Sequence, residues 1–328
     1  MNRTVNRTAV AGLLFFAFFS ISLFASGERE SDDELTVVTT TNIITDVVRN
    51  VAGDLVSIQG LIPQGVNPHN YNPTPKEMAR VEKADLLFVN GFGLEEALLD
   101  ALENVNQGRI VEVSSRITPL AFGEEAHDHE EEENHEDEDE DGHDHDQDPH
   151  TWTSLLNVVS WTEVIAEALT ELDPDNEVIY RSNAAAYIAE LMNLDAWARQ
   201  SLSAVKEEDR KLVSDHLIFG YFARDYGFEN FGALIPSFSS NGDISAKDFS
   251  HLIEEVDELD IRAVFIGNTS GDALKKLGNV LVEESDHPIQ VLPVMTGSLA
   301  NEGEPGSTYL EYFEYNVNQI AKGLSGRN

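Results

Sequence analysis

Short aliphatic and β-branched runs alternate with amphipathic helical segments along both halves of the chain. Because parallel strands need a long crossover between them, usually a helix, this order predicts mainly parallel sheets covered by helices on both faces. At 328 residues, the chain is long enough for two such units, each with its own core. The predicted strands are residues 34–41, 56–62, 84–91 and 109–113 in the first half, and 211–214, 262–266 and 289–292 in the second.

Between the two halves, residues 156–206 have the composition of helices. Residues 176 to about 205 carry apolar side chains at helical spacing, which predicts one continuous helix of about thirty residues. A helix of that length is suited to serve as a rigid spine between two lobes. We therefore predict an α/β fold with lobes at residues 34–155 and 207–328, each with a mainly parallel sheet flanked by helices, joined by one long rigid helix.

One segment cannot belong to any core. Residues 123–152 hold sixteen Asp and Glu and no Lys or Arg. Five histidines stand among these acids, namely His127, His129, His135, His143 and His145. We expect residues 123–147 to form a disordered loop that collects metal ions, because its composition cannot bury apolar surface while its carboxylates and imidazoles attract divalent cations. The formal net charge of -39 disfavours nucleic acid and anionic membrane surfaces as partners and favours cations.

The first residues are typical of a secretory signal. Arg3 and Arg7 precede an apolar run over residues 9–25, which ends in small residues. We therefore predict a signal peptide at residues 1–27 and a periplasmic or otherwise extracytoplasmic protein. An uncleaved membrane anchor is the alternative, although the run is slightly short for a spanning helix. Since the sequence contains no cysteine, we also expect no lipid-anchor Cys, and we expect the protein to be a monomer.

Three histidines outside the acidic segment share one setting. His69 follows Asn-Pro, His150 follows Asp-Pro, and His216 follows Ser-Asp at the end of a predicted strand. Loops at the carboxyl ends of strands are where open α/β sheets bind ligands. A single histidine in such a loop is more often a capping or hydrogen-bonded residue, but three of them beside a His-rich segment predict a metal site. We interpret His251, within a helix, and His287, in a turn, as structural.

The ligand chemistry favours zinc. Without cysteine, a metal ion must be held by His, Asp, Glu, Asn or water. Zn²⁺ accepts three imidazoles and a fourth oxygen ligand in tetrahedral geometry, whereas imidazole-rich sites disfavour Mg²⁺ and Ca²⁺. We therefore predict Zn²⁺ bound by His69, His150 and His216, with Mn²⁺ as the main rival ion.

Three stretches resemble the ligand loops of the metal-binding solute-binding proteins of ABC importers, the zinc and manganese group called cluster A-I. Residues 65–75 resemble the first ligand loop, residues 148–152 the second and residues 214–222 the third, where zinc members carry His and manganese members usually carry Glu. The resemblance extends from about residue 35 to about residue 324. It implies two α/β lobes joined by one long helix, metal in the cleft between them, and an ABC permease as the partner.

The fourth ligand departs from the pattern of that family. The family usually supplies an Asp late in the chain, and the matching place here is Gly297. The acid that some members carry after the strand at residues 262–266 is likewise replaced, by Gly267. Several candidates remain for the fourth position: water, Asn268, a carboxylate such as Glu302 or Glu304, or a histidine lent by the acidic loop. We expect an open or substituted position to weaken binding or to make it depend on the loop.

These observations predict a periplasmic zinc-binding protein that captures Zn²⁺ between two lobes and delivers it to an ABC permease, with no enzymatic activity. A manganese-binding importer component is one alternative, and an extracellular metal buffer or adhesin without a transporter is another. A zinc hydrolase is chemically feasible, since three histidines and a water form catalytic zinc sites. The chain, however, has neither a His-Glu-x-x-His helix nor a Gly-x-Ser-x-Gly elbow.

Overall fold

Each half of the chain builds one four-stranded parallel sheet in the computed structural model, which describes residues 35–121, 147–235, 237 and 244–325. The first sheet, in the order β2-β1-β3-β4, consists of β1 (Thr36–Thr39), β2 (Ser57–Gly60), β3 (Leu86–Val89) and β4 (Arg109–Glu112). The second, in the order β6-β5-β7-β8, consists of β5 (Lys211–His216), β6 (Glu229–Ile235), β7 (Ala263–Gly267) and β8 (Gln290–Val294). The two sheets therefore share one strand order.

Five of the nine described helices begin at a capping side chain. The nine helices are α1 (Asn42–Ala52), α2 (Pro75–Val81), α3 (Glu96–Val105), α4 (Leu155–Leu172), α5 (Glu177–Leu202), α6 (Gly220–Tyr226), α7 (Ala246–Glu258), α8 (Asp272–Glu284) and α9 (Tyr309–Leu324). Thr74 and Glu77 form a full capping box at the start of α2, with Pro75 as its first residue. Ser154 and Thr308 cap α4 and α9 by accepting a backbone N–H from the first turn.

The predicted long helix is present as α5, which has 26 residues. It packs against α1, α4 and α9, and its buried face belongs to one hydrophobic cluster that contains side chains from both sheets. Two smaller clusters contain the residues buried against the other face of each sheet. The predicted fold class is therefore confirmed: two parallel sheets flanked by helices, with a long helix between them in sequence.

The second sheet contains a strand that the sequence analysis did not predict. β6 begins with Glu229 and Asn230 and has Gly232 at its centre, and glycine and polar residues are depleted in strands. It is an edge strand paired with β5, so it needs no continuous apolar run. β5 is also longer than predicted, and His216 is its last residue rather than a loop residue after it.

Some predictions fall on residues outside the described ranges. These are the signal peptide at residues 1–27 and the acidic loop with its histidines, of which only Gln147 is described. Among the helices that the structure does describe, none combines the length and the apolar character needed to cross a membrane.

Candidate metal centre

The structure brings His69, His150 and His216 together. His69 lies in a 3₁₀ turn after β2, His150 directly precedes the 3₁₀ turn that leads into α4, and His216 ends β5. One ring nitrogen from each histidine lies within 4.8 Å of the others, and no other His, Asp or Glu of the described residues joins this group. His150 and His216 are buried and His69 is half-buried. Three segments that are distant in sequence thus place three imidazoles around one point.

The spacing of the three rings suits a bound cation. The Nε2 atoms of His69 and His150 are 3.1 Å apart. Two nitrogens bound to tetrahedral zinc at about 2.0–2.1 Å lie roughly 3.4 Å apart, which is close to this separation. The ring centroids are 5.1 Å apart for His69 and His150, 5.7 Å for His69 and His216, and 5.1 Å for His150 and His216, all edge to face. The donor set therefore fits a small divalent ion.

Two aspartates fix the orientation of two of these rings. Nδ1 of His150 lies 2.7 Å from Oδ1 of Asp148, and the backbone N–H of His150 donates to the same oxygen at 2.9 Å. Nδ1 of His216 and its backbone N–H approach Oδ1 of Asp215 in the same way, both at 2.9 Å. Because an acidic oxygen accepts, each Nδ1 carries the proton and each Nε2 keeps a lone pair for a metal ion.

Burial keeps the imidazoles of His69 and His150 neutral. It lowers the pKa of His69 well below its usual value, and the neighbouring rings of His150 and His216 lower it further. Burial likewise lowers the pKa of His150, with His216 adding to the effect and Asp215 opposing it. Burial also raises the pKa of Asp148 to about 8, against the hydrogen bond from His150. Near pH 7 the rings of His69 and His150 are therefore available as neutral ligands.

The loop that carries His150 is held from two sides. Nδ2 of Asn90, at the end of β3, donates to the carbonyl of Pro149 at 2.9 Å. The hydroxyl of Tyr221 on α6 donates to the carbonyl of Asp148 at 2.7 Å. Nε1 of Trp152 donates to the carbonyl of Thr296 at 2.9 Å, after β8. Residues that follow strands of both sheets therefore fix the position of His150.

Sequence reasoning missed Asp148 and Asp215 as partners of the histidines, although the signal was present. Each is an acid one or two residues before a histidine, at the end of a strand or loop. Asn90 and Tyr221 carried no such local signal, because their contacts join residues far apart in the chain.

Among the described candidates for a fourth ligand, Asn268 makes hydrogen bonds of its own and the two carboxylates do not join the histidine group. Oδ1 of Asn268 accepts the backbone N–H of Thr296 at 2.9 Å, and its Nδ2 donates to the carbonyl of Ser298 at 2.8 Å. Glu302 and Glu304 are exposed and do not join the histidine group. A Cβ atom added to Gly297 would lie 2.7 Å from Cδ of Pro68, so this position leaves no room for a side chain. Water or a histidine of the acidic loop stays a prediction.

The other two described histidines lie apart from this group. His251 is exposed on α7, with Nδ1 3.4 Å from the carboxylate of Glu255. Nδ1 of His287 lies 3.0 Å from Asp257, and its Nε2 lies 2.7 Å from the carbonyl of Ile261. Both have protein partners of their own, in keeping with a structural role.

Comparison with known proteins gives one family and a consistent set of relatives. A family model described as zinc-uptake complex component A, periplasmic (ZnuA), matches residues 37–323. The manganese-binding lipoprotein MntA of Halalkalibacterium halodurans is 32% identical over 301 residues, which is 92% of this chain and 92% of that protein. The manganese ABC transporter substrate-binding lipoprotein PsaA of Streptococcus pneumoniae is 28% identical over 325 residues, covering 99% of this chain and 100% of that protein.

Solved structures agree with these relatives. The periplasmic zinc-binding protein TroA of Treponema pallidum has a TM-score of 0.78 and 26% identity, covering 89% of this chain and 99% of that one. The Mn-bound periplasmic metal-binding protein of Candidatus Liberibacter asiaticus has a TM-score of 0.74 and 27% identity, covering 89% of this chain and 100% of that one. Zinc and manganese binders thus share this fold.

The relatives correct the prediction on localisation. We expected an extracytoplasmic protein with no lipid anchor, and that expectation relied only on the absence of cysteine from the sequence. The relatives from Halalkalibacterium halodurans, Streptococcus gordonii and Streptococcus pneumoniae are lipoproteins. A location outside the cytoplasm agrees with them, but the expectation of no lipid-anchor Cys is contradicted by these lipoprotein relatives.

Proposed function

Because the chain belongs to the ZnuA family of periplasmic zinc-uptake components, we propose that it captures Zn²⁺ with His69, His150 and His216 and delivers it to an ABC permease. Membership of the family makes the chain a metal-binding substrate-binding protein of ABC transporters and not an enzyme, as predicted. The observation that carries the finer proposal is the convergence of three imidazoles within 4.8 Å. Zinc is the cargo of this protein, and the chain only has to bind and present it.

Zinc is preferred over manganese because of the donor atoms. All three converging side chains offer a ring nitrogen, and no carboxylate of the described residues joins them. Sites of nitrogen donors bind Zn²⁺ more tightly than Mn²⁺ on the usual affinity order, whereas oxygen donors suit Mn²⁺. Manganese is the second candidate cargo, since the relatives from Halalkalibacterium halodurans and Streptococcus pneumoniae are named for manganese.

The acidic partners of the histidines support binding of a cation. Asp148 and Asp215 each accept the Nδ1 proton of a ligand ring. A dication bound at Nε2 makes the Nδ1–H more acidic and strengthens its hydrogen bond to the aspartate. The two aspartates therefore orient the rings before binding and stabilise the positive charge after it.

Metal titration tests the ligand assignment directly. We would measure Zn²⁺ affinity by competition with a chelator in the intact protein and in His69→Ala, His150→Ala and His216→Ala. Each substitution is expected to weaken binding by at least about a hundredfold, because it removes one of three nitrogen ligands. His251→Ala is the matched control, since His251 is exposed on α7. Unchanged affinity in any of the three variants would remove that histidine from the site.

The cargo is tested by competition between the two ions. Zn²⁺ should displace Mn²⁺ from the intact protein at equal concentrations, and Mn²⁺ should be retained weakly. Equal or tighter binding of Mn²⁺ would overturn the zinc assignment and leave the manganese alternative.

Delivery is tested in cells: loss of the protein should reduce uptake of the cargo ion only when the permease and ATPase are present. If the protein instead protects cells from excess metal when the permease and ATPase are absent, it acts as a metal buffer.

The acidic loop is proposed as an auxiliary collector that adds weak sites. Its two ends are close together, because Ala121 and Gln147 form an antiparallel bridge. Residues 122–146 can therefore be replaced by a four-residue Gly/Ser linker, a usual length for such a turn. Calorimetry should then find the tight site kept and several weak sites lost. Loss of the tight site as well would mean that the loop supplies the fourth ligand.

A further inference from the structure

Residues 296–298, which follow β8, contain no histidine or acid, yet they contact the supports of all three converging histidines. We propose that this tripeptide positions the metal-binding rings, and that Gly297 is the positioning residue that sets the place of His69. The inference rests on the proposed function, because it assumes that the three histidines bind the cargo ion. It adds a determinant of affinity that touches neither metal nor ligand ring.

The contact with His69 runs through Pro68. A Cβ atom on Gly297 would lie 2.7 Å from Cδ and 3.1 Å from Cγ of the Pro68 ring, so the two residues are in direct contact. The backbone N–H of Gly65 also donates to Oγ of Ser298 at 2.7 Å. Because the proline ring is fused to the backbone, any displacement of Cδ moves the peptide that leads into His69.

The contact with His150 runs through Trp152. The carbonyl of Thr296 accepts hydrogen bonds from Nε1 of Trp152 at 2.9 Å and from the hydroxyl of Tyr312 at 2.7 Å. The Trp152 ring in turn packs edge to face against His150, with ring centroids 5.3 Å apart. The same peptide that supports Pro68 therefore also supports the ring beside the second ligand.

The contact with His216 runs through Gly267 and Asp215. A Cβ atom on Gly267 would lie 2.7 Å from Cγ2 of Thr296 and 2.9 Å from Oδ2 of Asp215. The backbone N–H of Gly267 donates to that same oxygen at 3.0 Å, and the other oxygen of Asp215 holds His216. The Thr296 side chain thus lies against the backbone of Gly267. That backbone donates to Asp215, which in turn holds His216.

The tripeptide itself is fixed and cannot absorb added volume. The side-chain amide of Asn268 spans it, accepting from the N–H of Thr296 and donating to the carbonyl of Ser298. Asn42 on α1 donates to Oγ of Ser298 at 2.8 Å and accepts the N–H of Leu299 at 2.9 Å. A side chain at position 297 would therefore push against Pro68 rather than move its own backbone.

The test is Gly297→Ala, with Gly271→Ala as the matched control. Both glycines have a backbone that accepts alanine, but nothing lies within 4 Å of a Cβ on Gly271. Gly297→Ala should weaken Zn²⁺ binding about 10–100-fold, the range for residues that orient ligands, while Gly271→Ala leaves it unchanged. The visible spectrum of the Co²⁺-loaded protein should also change in Gly297→Ala, because a displaced His69 alters the coordination geometry.

A second substitution separates positioning from general damage. Pro68→Ala removes the ring that an alanine at position 297 would strike. The loss of affinity caused by Gly297→Ala should therefore be at least tenfold smaller in the Pro68→Ala background than in the wild type. Wild-type affinity in Gly297→Ala, or no coupling between the two substitutions, would overturn the proposal. If Gly297→Ala does not fold, Ser298→Ala replaces it, and unchanged affinity there would have the same meaning. Failure of the proposed function would be seen separately, as unchanged affinity in His69→Ala.

Discussion

Replacing Asp148 and Asp215 by asparagine should have unequal effects on stability, although each residue is hydrogen-bonded to one of the three converging histidines. Asp215 uses both oxygens: Oδ1 accepts two N–H groups of His216, and Oδ2 accepts the backbone N–H of Gly267 and the hydroxyl of Ser270. An asparagine has only one acceptor oxygen. If its NH₂ group faces His216, the two N–H groups of His216 lose their acceptor; if it faces Gly267, the backbone N–H of Gly267 loses its acceptor.

The cost follows from the number of donors left without an acceptor. One buried backbone N–H without a partner costs about 1–3 kcal/mol, and the loss of charge-assisted bonds adds to this. In Asp148, both bonds from His150 end on Oδ1, so an asparagine oriented with its oxygen towards His150 keeps both. Burial also raises the pKa of Asp148 to about 8, so a neutral side chain is already favoured there at pH 7. Asp148→Asn should therefore cost about 1 kcal/mol or less.

Urea denaturation of the metal-free protein at pH 7 measures this difference. We expect the free energy of unfolding to fall by about 2–4 kcal/mol in Asp215→Asn and by clearly less in Asp148→Asn. Zn²⁺ affinity should fall about 10–100-fold in Asp215→Asn, because the bond that orients the His216 ring is weakened there. It should fall less in Asp148→Asn, where the asparagine keeps both bonds to His150. Equal destabilisation, or a larger loss in Asp148→Asn, would refute the reasoning from acceptor count.

Two further predictions concern the scaffold. Gly323→Ala should destabilise the protein by about 1–3 kcal/mol in thermal or urea unfolding, because a Cβ there would lie 2.7 Å from Leu292 and 2.9 Å from Ala263. Burial raises the pKa of Glu95, so the folded state holds its proton more tightly than the unfolded state, and the stability that Glu95 contributes falls as the pH rises through the raised pKa. As the pH rises from 4 to 7, the free energy of unfolding should therefore fall less in Glu95→Gln than in the wild type. Equal falls in the two proteins would contradict this.

Helices were predictable because their ends carry local signals. The capping residues Ser154 and Thr308 and the apolar periodicity behind them place the bounds of α4 and α9 where the structure has them. Strand β6 was not predictable in this way, since Gly232 interrupts its apolar pattern. The strand forms because it pairs with β5. Its existence depends on tertiary context that a local pattern does not contain.

The candidate site shows the same division. His69, His150 and His216 could be predicted as one group because a proline or an acid beside a histidine near a strand end is a local pattern. The tripeptide at residues 296–298 had no such signal, since its contacts with Gly65 and Trp152 join residues more than a hundred positions apart in sequence. The glycine at position 297 was noticed only as a missing acid; the structure gives it a steric reason through Pro68.

The hydrophobic cluster shared by both sheets restricts how cargo can leave. Side chains of β1, α5, β5 and α9 belong to that one cluster, and halves joined by a large apolar interface do not swing apart as independent domains. Amides of both sheets should therefore exchange with deuterium in one slow, cooperative event, while loop amides near His69 exchange earlier. We therefore expect release at the permease to require only local distortion of the loops that carry His69 and His150, while the two sheets stay together.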